Sequence, residues 1–230
     1  MASFLEGPVV GYWRAFDEKV FFALNGSLDS VGPWTILWAW MNTRTLDVTW
    51  AVVMALPALW VIFCMKGVPI ETRVAKILAI ALAVVLAISL AKSVGEHVER
   101  DSPSRVLSPF HNLNDFVPSL KVKTESGESF PGDHGVAAFV YAFGFIFLLR
   151  HSGLTVIALF VTVANTLPRL FGGGHWVTDV IVGGGGFALL VIPLMLATPV
   201  VSWLEPISRI LLDRFMKPIL RPVGLENRLV

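Results

Sequence analysis

Five stretches of this chain are too continuously apolar to face water: 48–65, 74–91, 135–149, 154–167 and 176–197. A bilayer's hydrocarbon core is about 30 Å thick and takes about 20 residues of helix to cross, so each stretch reaches or approaches spanning length. In lipid a spanning segment must satisfy its own backbone hydrogen bonds, which restricts these segments to helices. The chain is 55% hydrophobic and only 15% charged, where a soluble domain carries about 25% charge. The expected fold is therefore an all-α integral membrane protein. It is a single domain over residues 1–230 whose transmembrane bundle of five helices fills 47–198. The stretches 135–149 and 154–167 are joined only by RHSG at 150–153, which makes them a tight antiparallel hairpin.

The two ends read as interfacial helices. Residues 1–46 interleave aromatic side chains with Arg14, Asp17, Glu18, Lys19 and Asp29, the pattern of a helix or two lying among headgroups. The alternative is a sixth, broken span through 34–41. No Lys or Arg precedes Arg14 and no apolar core follows the start, so no cleaved signal is expected. Residues 199–230 are amphipathic, with Trp203, Ile207, Ile210 and Leu211 at helical spacing. They also carry a basic series of Arg209, Arg214, Lys217, Arg221 and Arg228. Pro57 and Pro193 fall inside spans, where neighbouring helices tolerate a kink. The glycines at 183–186 are expected to be a packing face. Cys64 has no partner thiol and the net charge is +1, which excludes an internal disulfide and gives no reason to expect nucleic acid.

Five spans put the connections 92–133 and 168–175 on one side of the membrane. Lys92, Arg100, His134, Arg169, His175 and Asp179 then gather at helix mouths on that side, and ionisable residues in a membrane bundle suggest function. His175 and Asp179 are four apart, so on a helix they share a face. A carboxylate there can fix the imidazole tautomer and leave the other nitrogen as nucleophile or base. Arg169 precedes His175 across a glycine-rich turn, where a guanidinium can grip phosphate through paired hydrogen bonds. The PGDHG segment, with Gly132 and Asp133, opens a helix whose free N–H groups form an anion site.

These residues describe a phosphate clamp with a nucleophile and a proton donor. Other readings stand beside it. His175 and Asp179 can be a polar pair joining helices, or metal ligands together with His134. Lys92 can simply reach to the interface. Asp133 can be a plain helix cap or can act near an acceptor. His97, His111 and His151 read as solvated loop residues. No nucleotide-type phosphate loop and no HExxH occurs. Lys and Arg divide equally between the two sides. The charge bias favours a cytoplasmic tail only when Lys92, Arg100 and Arg169 are set aside as site residues.

The chain resembles the type-2 phosphatidic acid phosphatase superfamily. The third motif of that family, Ser-Arg, five residues, His, three residues, Asp, is matched by Arg169, His175 and Asp179, with Pro168 in place of the serine. Its second, Pro-Ser-Gly-His, is present as Pro131, Gly132, Asp133 and His134. Its first, Lys, six residues, Arg-Pro, is loosened: Lys92 is one residue too far from Arg100, and Pro103 follows three positions later. SFPGDHG together with PRLFGGGHWVTDVIVGG is similar to one branch, the bacterial lipid A 1-diphosphate synthases, which move phosphate from undecaprenyl pyrophosphate to lipid A 1-phosphate.

The resemblance implies that His175 attacks the terminal phosphoryl group to form a phosphohistidine, with Asp179 orienting it. His134 protonates the leaving group and then serves as base. Arg100, Arg169, Lys92 and the backbone around Gly132 stabilise the phosphoryl oxygens, and Asp133 lies beside them. The partners implied are the two lipid substrates, in a bacterial inner membrane with the site facing the periplasm, and neither cofactor nor metal is implied. Hydrolysis of lipid phosphates by the same machinery is the alternative, and a transporter or scaffold is the reading of another class.

Overall fold

The computed structural model describes residues 7–28 and 30–220. The expectations for residues 1–6, Asp29, Arg221 and Arg228 lie outside them. The described residues are helical with no strands and only two isolated β-bridges. In chain order the helices are α1 (Val10–Asn25), α2 (Pro33–Met41), α3 (Arg44–Cys64), α4 (Ile70–Gly95), α5 (Pro103–Val106) and α6 (Leu113–Phe116). They continue with α7 (Asp133–Gly144), α8 (Ser152–Phe171), α9 (Gly185–Ala197), α10 (Val200–Leu211) and α11 (Lys217–Leu220). A π-helical turn extends α7 through Phe145–Leu149, another, Asp179–Gly184, leads into α9, and a third joins α10 to α11.

Arg44–Cys64, Ile70–Gly95, Ser152–Phe171 and Asp179–Ala197 are each long and apolar enough to cross a membrane, and Asp133–Leu149 is a shorter apolar helix. The protein is thus an all-α, multi-pass membrane protein, and each of the five expected stretches lies on one of these helices with its ends shifted by a few residues. The hairpin between α7 and α8 turns on Arg150, which is left-handed at φ 56°, and on His151. The His151 ring caps α8 by accepting the Leu154 N–H at 3.3 Å.

Helix α4 is the spine of the bundle. Ala75, Ala79, Ala83, Ala87 and Ala91 recur every fourth residue and are fully covered, a stripe of small side chains that lets neighbouring helices approach. Helices α7, α9 and α10 pack around it. Buried polar side chains tie the layers. Thr162 Oγ1 donates to the Ala138 carbonyl at 2.9 Å and Tyr141 donates to the Met54 carbonyl at 3.1 Å. The outward faces are apolar and exposed, as at Val52 and Leu56 on α3, Phe160 on α8 and Leu189 and Leu194 on α9, which suits contact with lipid tails.

Helix α10 is amphipathic as expected, turning Trp203, Ile207 and Ile210 outward while Val200, Ser208 and Leu212 are buried. Thr72 on α4 donates to Glu205 at 2.7 Å.

The N-terminal region departs from the expectation. It does contain two helices, but α2 has nine residues, about 14 Å of helix. That is too short to cross, which overturns the broken sixth span. Nor does the region only lie on a surface, because α1 buries Asp17, Phe21 and Asn25. Trp38 of α2 stacks on Phe171 with ring centroids 3.8 Å apart, in an apolar cluster with Leu28, Leu113 and Val122. Asn25 donates to the carbonyls of His111 (3.0 Å) and Phe171 (2.9 Å) and accepts the His111 N–H at 2.9 Å. His111 and His151 are therefore structural residues and not idle loop histidines, and the His97 ring bonds the Ser93 carbonyl at 2.8 Å.

The C-terminal end of α4, the start of α7, the end of α8 and the lead-in to α9 all come to one end of the bundle, where the two long-separated polar connections meet. Residues 96–132 fold back on themselves there. Ser102 N–H donates to the Ser126 carbonyl at 2.9 Å, and Ser129 N–H donates to the Arg100 carbonyl at 2.8 Å.

Candidate active site

A cavity of about 790 Å³ opens at this end of the bundle, and His134, Arg169, His175, Lys92 and Asp133 all line it. Residues more than 80 positions apart in sequence are thereby brought to one surface.

His175 sits on the turn between α8 and the lead-in to α9, and its ring packs against the backbone of Gly132. A Cβ added at Gly132 would stand 3.1 Å from Nδ1 and 3.2 Å from Cε1, so any other residue here would press the ring back from its present place. The Nδ1 atom bonds the Ser129 carbonyl at 2.7 Å. A carbonyl can only accept, so Nδ1 carries the proton and the lone pair resides on Nε2. Burial pushes the His175 pKa down to about 4. The Ser129 hydrogen bond opposes this, the charges of Arg169 and Lys123 add to it, and Asp133 opposes it. The ring is neutral at physiological pH, the form a nucleophile requires.

The i,i+4 spacing led to an expected hydrogen bond between His175 and Asp179, and the geometry corrects this. The Asp179 carboxylate is 4.0 Å from Nδ1, beyond hydrogen-bond length. Its Oδ2 instead accepts the Trp176 N–H at 2.8 Å, and its other oxygen pairs with Arg100. Asp179 reaches back to the first turn of its own helix, in the manner of a capping residue. The tautomer is set by the carbonyl of Ser129, the first residue of SFPGDHG.

Arg100 also departs from expectation. Its guanidinium pairs with Asp179 and with Asp17 (2.6 Å), donates to Thr178 Oγ1 at 2.9 Å, and lies 5.2 Å from the centre of the Trp176 ring. It does not line the cavity. Two carboxylates already neutralise it, so its role here is to hold the start of the α9 segment. Asp17 completes that network by accepting the Thr178 N–H at 3.0 Å and the Thr178 hydroxyl at 2.6 Å.

Arg169 is 8% exposed. It donates through one guanidinium nitrogen to Asn42 Oδ1 at 2.6 Å and through the other to His134 Nε2 at 3.2 Å. Arginine cannot accept, so His134 presents a lone pair at Nε2. Asn42 also donates to the Pro168 carbonyl at 2.8 Å, which clamps the last turn of α8 around the guanidinium. Asp133 does not cap α7. Gly132 is the cap residue, without a side-chain bond, and Asp133 is the first helical residue, exposed on the cavity. The glycines before α9 are a packing face as expected, since a Cβ at Gly184 would meet the Gly135 backbone at 2.8 Å. Among the described residues no group of three or more His, Cys, Asp or Glu is arranged to hold a metal ion.

Asp17, Asn42, Arg44 and Lys123 were not singled out from the sequence as site residues. Asp17 stands in a row with Glu18 and Lys19, and Asn42 beside Thr43 and Arg44, and only their burial distinguishes them. Arg44 and Lys123 line the cavity but belong to no motif.

The profile of the PAP2 superfamily matches residues 72–199. The lipid A 1-diphosphate synthase of Escherichia coli (strain K12) is 29% identical over 192 residues, which cover 82% of this chain and 78% of that protein. No solved structure matches.

Proposed function

This chain belongs to the PAP2 superfamily, and from that premise we propose that it moves the terminal phosphate of undecaprenyl pyrophosphate to lipid A 1-phosphate through a phosphohistidine at His175. The superfamily and the relative make it an enzyme of lipid phosphate transfer or hydrolysis. The observation that carries the finer reading is the state of His175: its Nδ1 proton is held by the Ser129 carbonyl at 2.7 Å, leaving Nε2 as a neutral nucleophile in a cavity shared with Arg169 and His134.

In the first half-reaction His175 Nε2 attacks the terminal phosphorus. The N–P bond forms, the bond to the bridging oxygen breaks, and His134, having first taken up a proton from solvent at the Nε2 that Arg169 vacates, gives that proton to the departing undecaprenyl phosphate. Arg169 turns from His134 to the phosphoryl oxygens, where charge-assisted hydrogen bonds stabilise the transition state. Lys92 adds charge from the rim. In the second half-reaction a lipid A 1-phosphate oxygen attacks the phosphohistidine, the N–P bond breaks, and His134 accepts any proton the acceptor carries. The site faces the periplasm at headgroup depth, where both lipids present their phosphates. Asp133, adding negative charge at the cavity mouth, discourages misplaced phosphate and orients the acceptor.

Water in place of the acceptor gives the second reading, a lipid phosphatase, which the exposed rim of the cavity favours. The test is purified protein with undecaprenyl pyrophosphate labelled in its terminal phosphate, with and without lipid A, in EDTA. Label appearing on lipid A, passing through an acid-labile protein adduct that His175→Ala lacks, is the expected result. Equal release of label with or without lipid A refutes transfer in favour of hydrolysis. Loss of all activity in EDTA refutes a metal-free histidine mechanism.

A further inference from the structure

We propose that Arg44 and Lys123 form a second phosphate subsite in the active-site cavity, one that holds a lipid phosphate monoester which is not itself being transferred. The inference rests on the two-lipid phosphotransfer reading above. Two such groups occur in that reaction, the phosphate left on the donor after cleavage and the phosphate on the acceptor. Both are anions that must stay near His175 without occupying its attack position.

Local structure points both cations into the cavity. Thr43 and Val122 form an antiparallel bridge, and successive side chains along such extended backbone point to opposite faces. Val122 is buried in the apolar cluster with Trp38 and Phe171, so its neighbour Lys123 faces the other way, toward the cavity it lines. Asn42 and Arg44 flank Thr43 and line the same wall. Asn42 is committed to Arg169 by the 2.6 Å hydrogen bond, which ties this wall to the reaction centre. The charge of Lys123 is felt at the His175 ring, where it adds to the lowering of that residue's pKa.

Like Lys92 on the same lining, and unlike the two other arginines near the site, these cations are exposed. Arg169 and Arg100 are held by buried partners, whereas Arg44 and Lys123 are exposed and make no ion pair with any described residue. Glu96, Glu125, Glu128 and Asp133 share the lining, and none of them pairs with either cation. The cavity, at about 790 Å³, is in the upper range for ligand sites and has room for more than the one phosphoryl group at His175. Cations without protein partners in such a space, next to an anion-transferring centre, are suited to a ligand phosphate.

The test uses Arg44→Gln, Lys123→Gln and Lys123→Arg in the full-length protein, each checked for an unchanged thermal midpoint. Two Michaelis constants are read: that for undecaprenyl pyrophosphate in forming the labelled phosphoenzyme, and that for lipid A 1-phosphate in discharging it. The expected result is a rise of about tenfold in one of them, relative to the constant for hydrolysis of a lipid monophosphate, with Lys123→Arg close to wild type. A change confined to the first assigns the subsite to the donor's remaining phosphate, and a change confined to the second assigns it to the acceptor. Neither constant moving overturns the proposal.

Direct binding of undecaprenyl pyrophosphate and of lipid A 1-phosphate to His175→Ala, with and without Lys123→Gln, separates this inference from the mechanism beneath it. If wild type forms no phosphoenzyme but Lys123→Gln still weakens binding about tenfold, the histidine mechanism fails and the subsite stands. Unchanged binding of both lipids removes the subsite.

Discussion

Replacing Asp17 by alanine tests whether the first helix belongs to the catalytic apparatus. Asp17 lies outside the segment matched by the superfamily, residues 72–199, yet its carboxylate is 1% exposed and binds three donors. These are the Thr178 N–H at 3.0 Å, the Thr178 hydroxyl at 2.6 Å and the Arg100 guanidinium at 2.6 Å. Truncation leaves those donors without that acceptor and removes one of the two carboxylates that pair with the largely buried guanidinium. Breaking a buried ion pair from one side costs about 3–5 kcal/mol, most of it the penalty on the stranded partner. For a chain of this length that is a fall of about 10 °C in the thermal midpoint.

The same loss loosens Thr178, three residues beyond His175, and the Arg100 contact to it, so the platform of the proposed nucleophile loosens. A displacement approaching 1 Å can cost about a hundredfold in rate. Phosphoenzyme formation in Asp17→Ala should therefore fall by at least about tenfold, measured at a temperature where the protein is folded. Asp17→Glu, which keeps the charge, should recover part of both losses. An Asp17→Ala protein with wild-type melting temperature and wild-type phosphoenzyme rate would refute the reasoning, since a three-donor buried carboxylate cannot be removed silently.

Gly132→Ala places a methyl group 3.1 Å from His175 Nδ1. Rapid-quench measurement of phosphohistidine should show a loss of about tenfold with little change in melting temperature, because the backbone at Gly132 suits any residue (φ −64°). Asn42→Ala strands a guanidinium N–H of Arg169 and the Pro168 carbonyl. It should destabilise the protein by about 1–3 kcal/mol and raise the Michaelis constant for the phosphate donor; an unchanged constant would mean that Arg169 is positioned without it.

The pH dependence follows from His175. Its folded pKa of about 4 lies below the ordinary 6.5, so between those values the unfolded chain binds the extra proton and stability falls as pH falls. The full effect is about 3 kcal/mol, complete once pH drops through about 4 and absent above about 6.5. Melting curves across that window should show the slope in wild type and lose this component in His175→Ala.

Much of the architecture was readable from one dimension because lipid leaves few choices. An apolar run must become a helix, the count of runs sets which connections share a side, and that parity alone brings 92–133 and 168–175 together. The spacing of Arg169, His175 and Asp179 and the PGDHG segment likewise named residues, among them Arg169, His134 and His175, that the fold brings to one cavity. What only the tertiary structure decided is who holds whom. The i,i+4 rule placed Asp179 beside His175 but could not say that a backbone N–H and Arg100 would claim its oxygens, nor that the Ser129 carbonyl would take the imidazole proton. A carboxylate binds whichever donors packing brings nearest, and packing is settled by contacts distant in sequence. The same reason hid Asp17, Asn42, Arg44 and Lys123. Each is an ordinary polar residue in its own neighbourhood, and each acquires a role only because Trp38, Phe171 and Val122 bury their apolar surface together and draw the N-terminal helices and the 120–128 loop over the site.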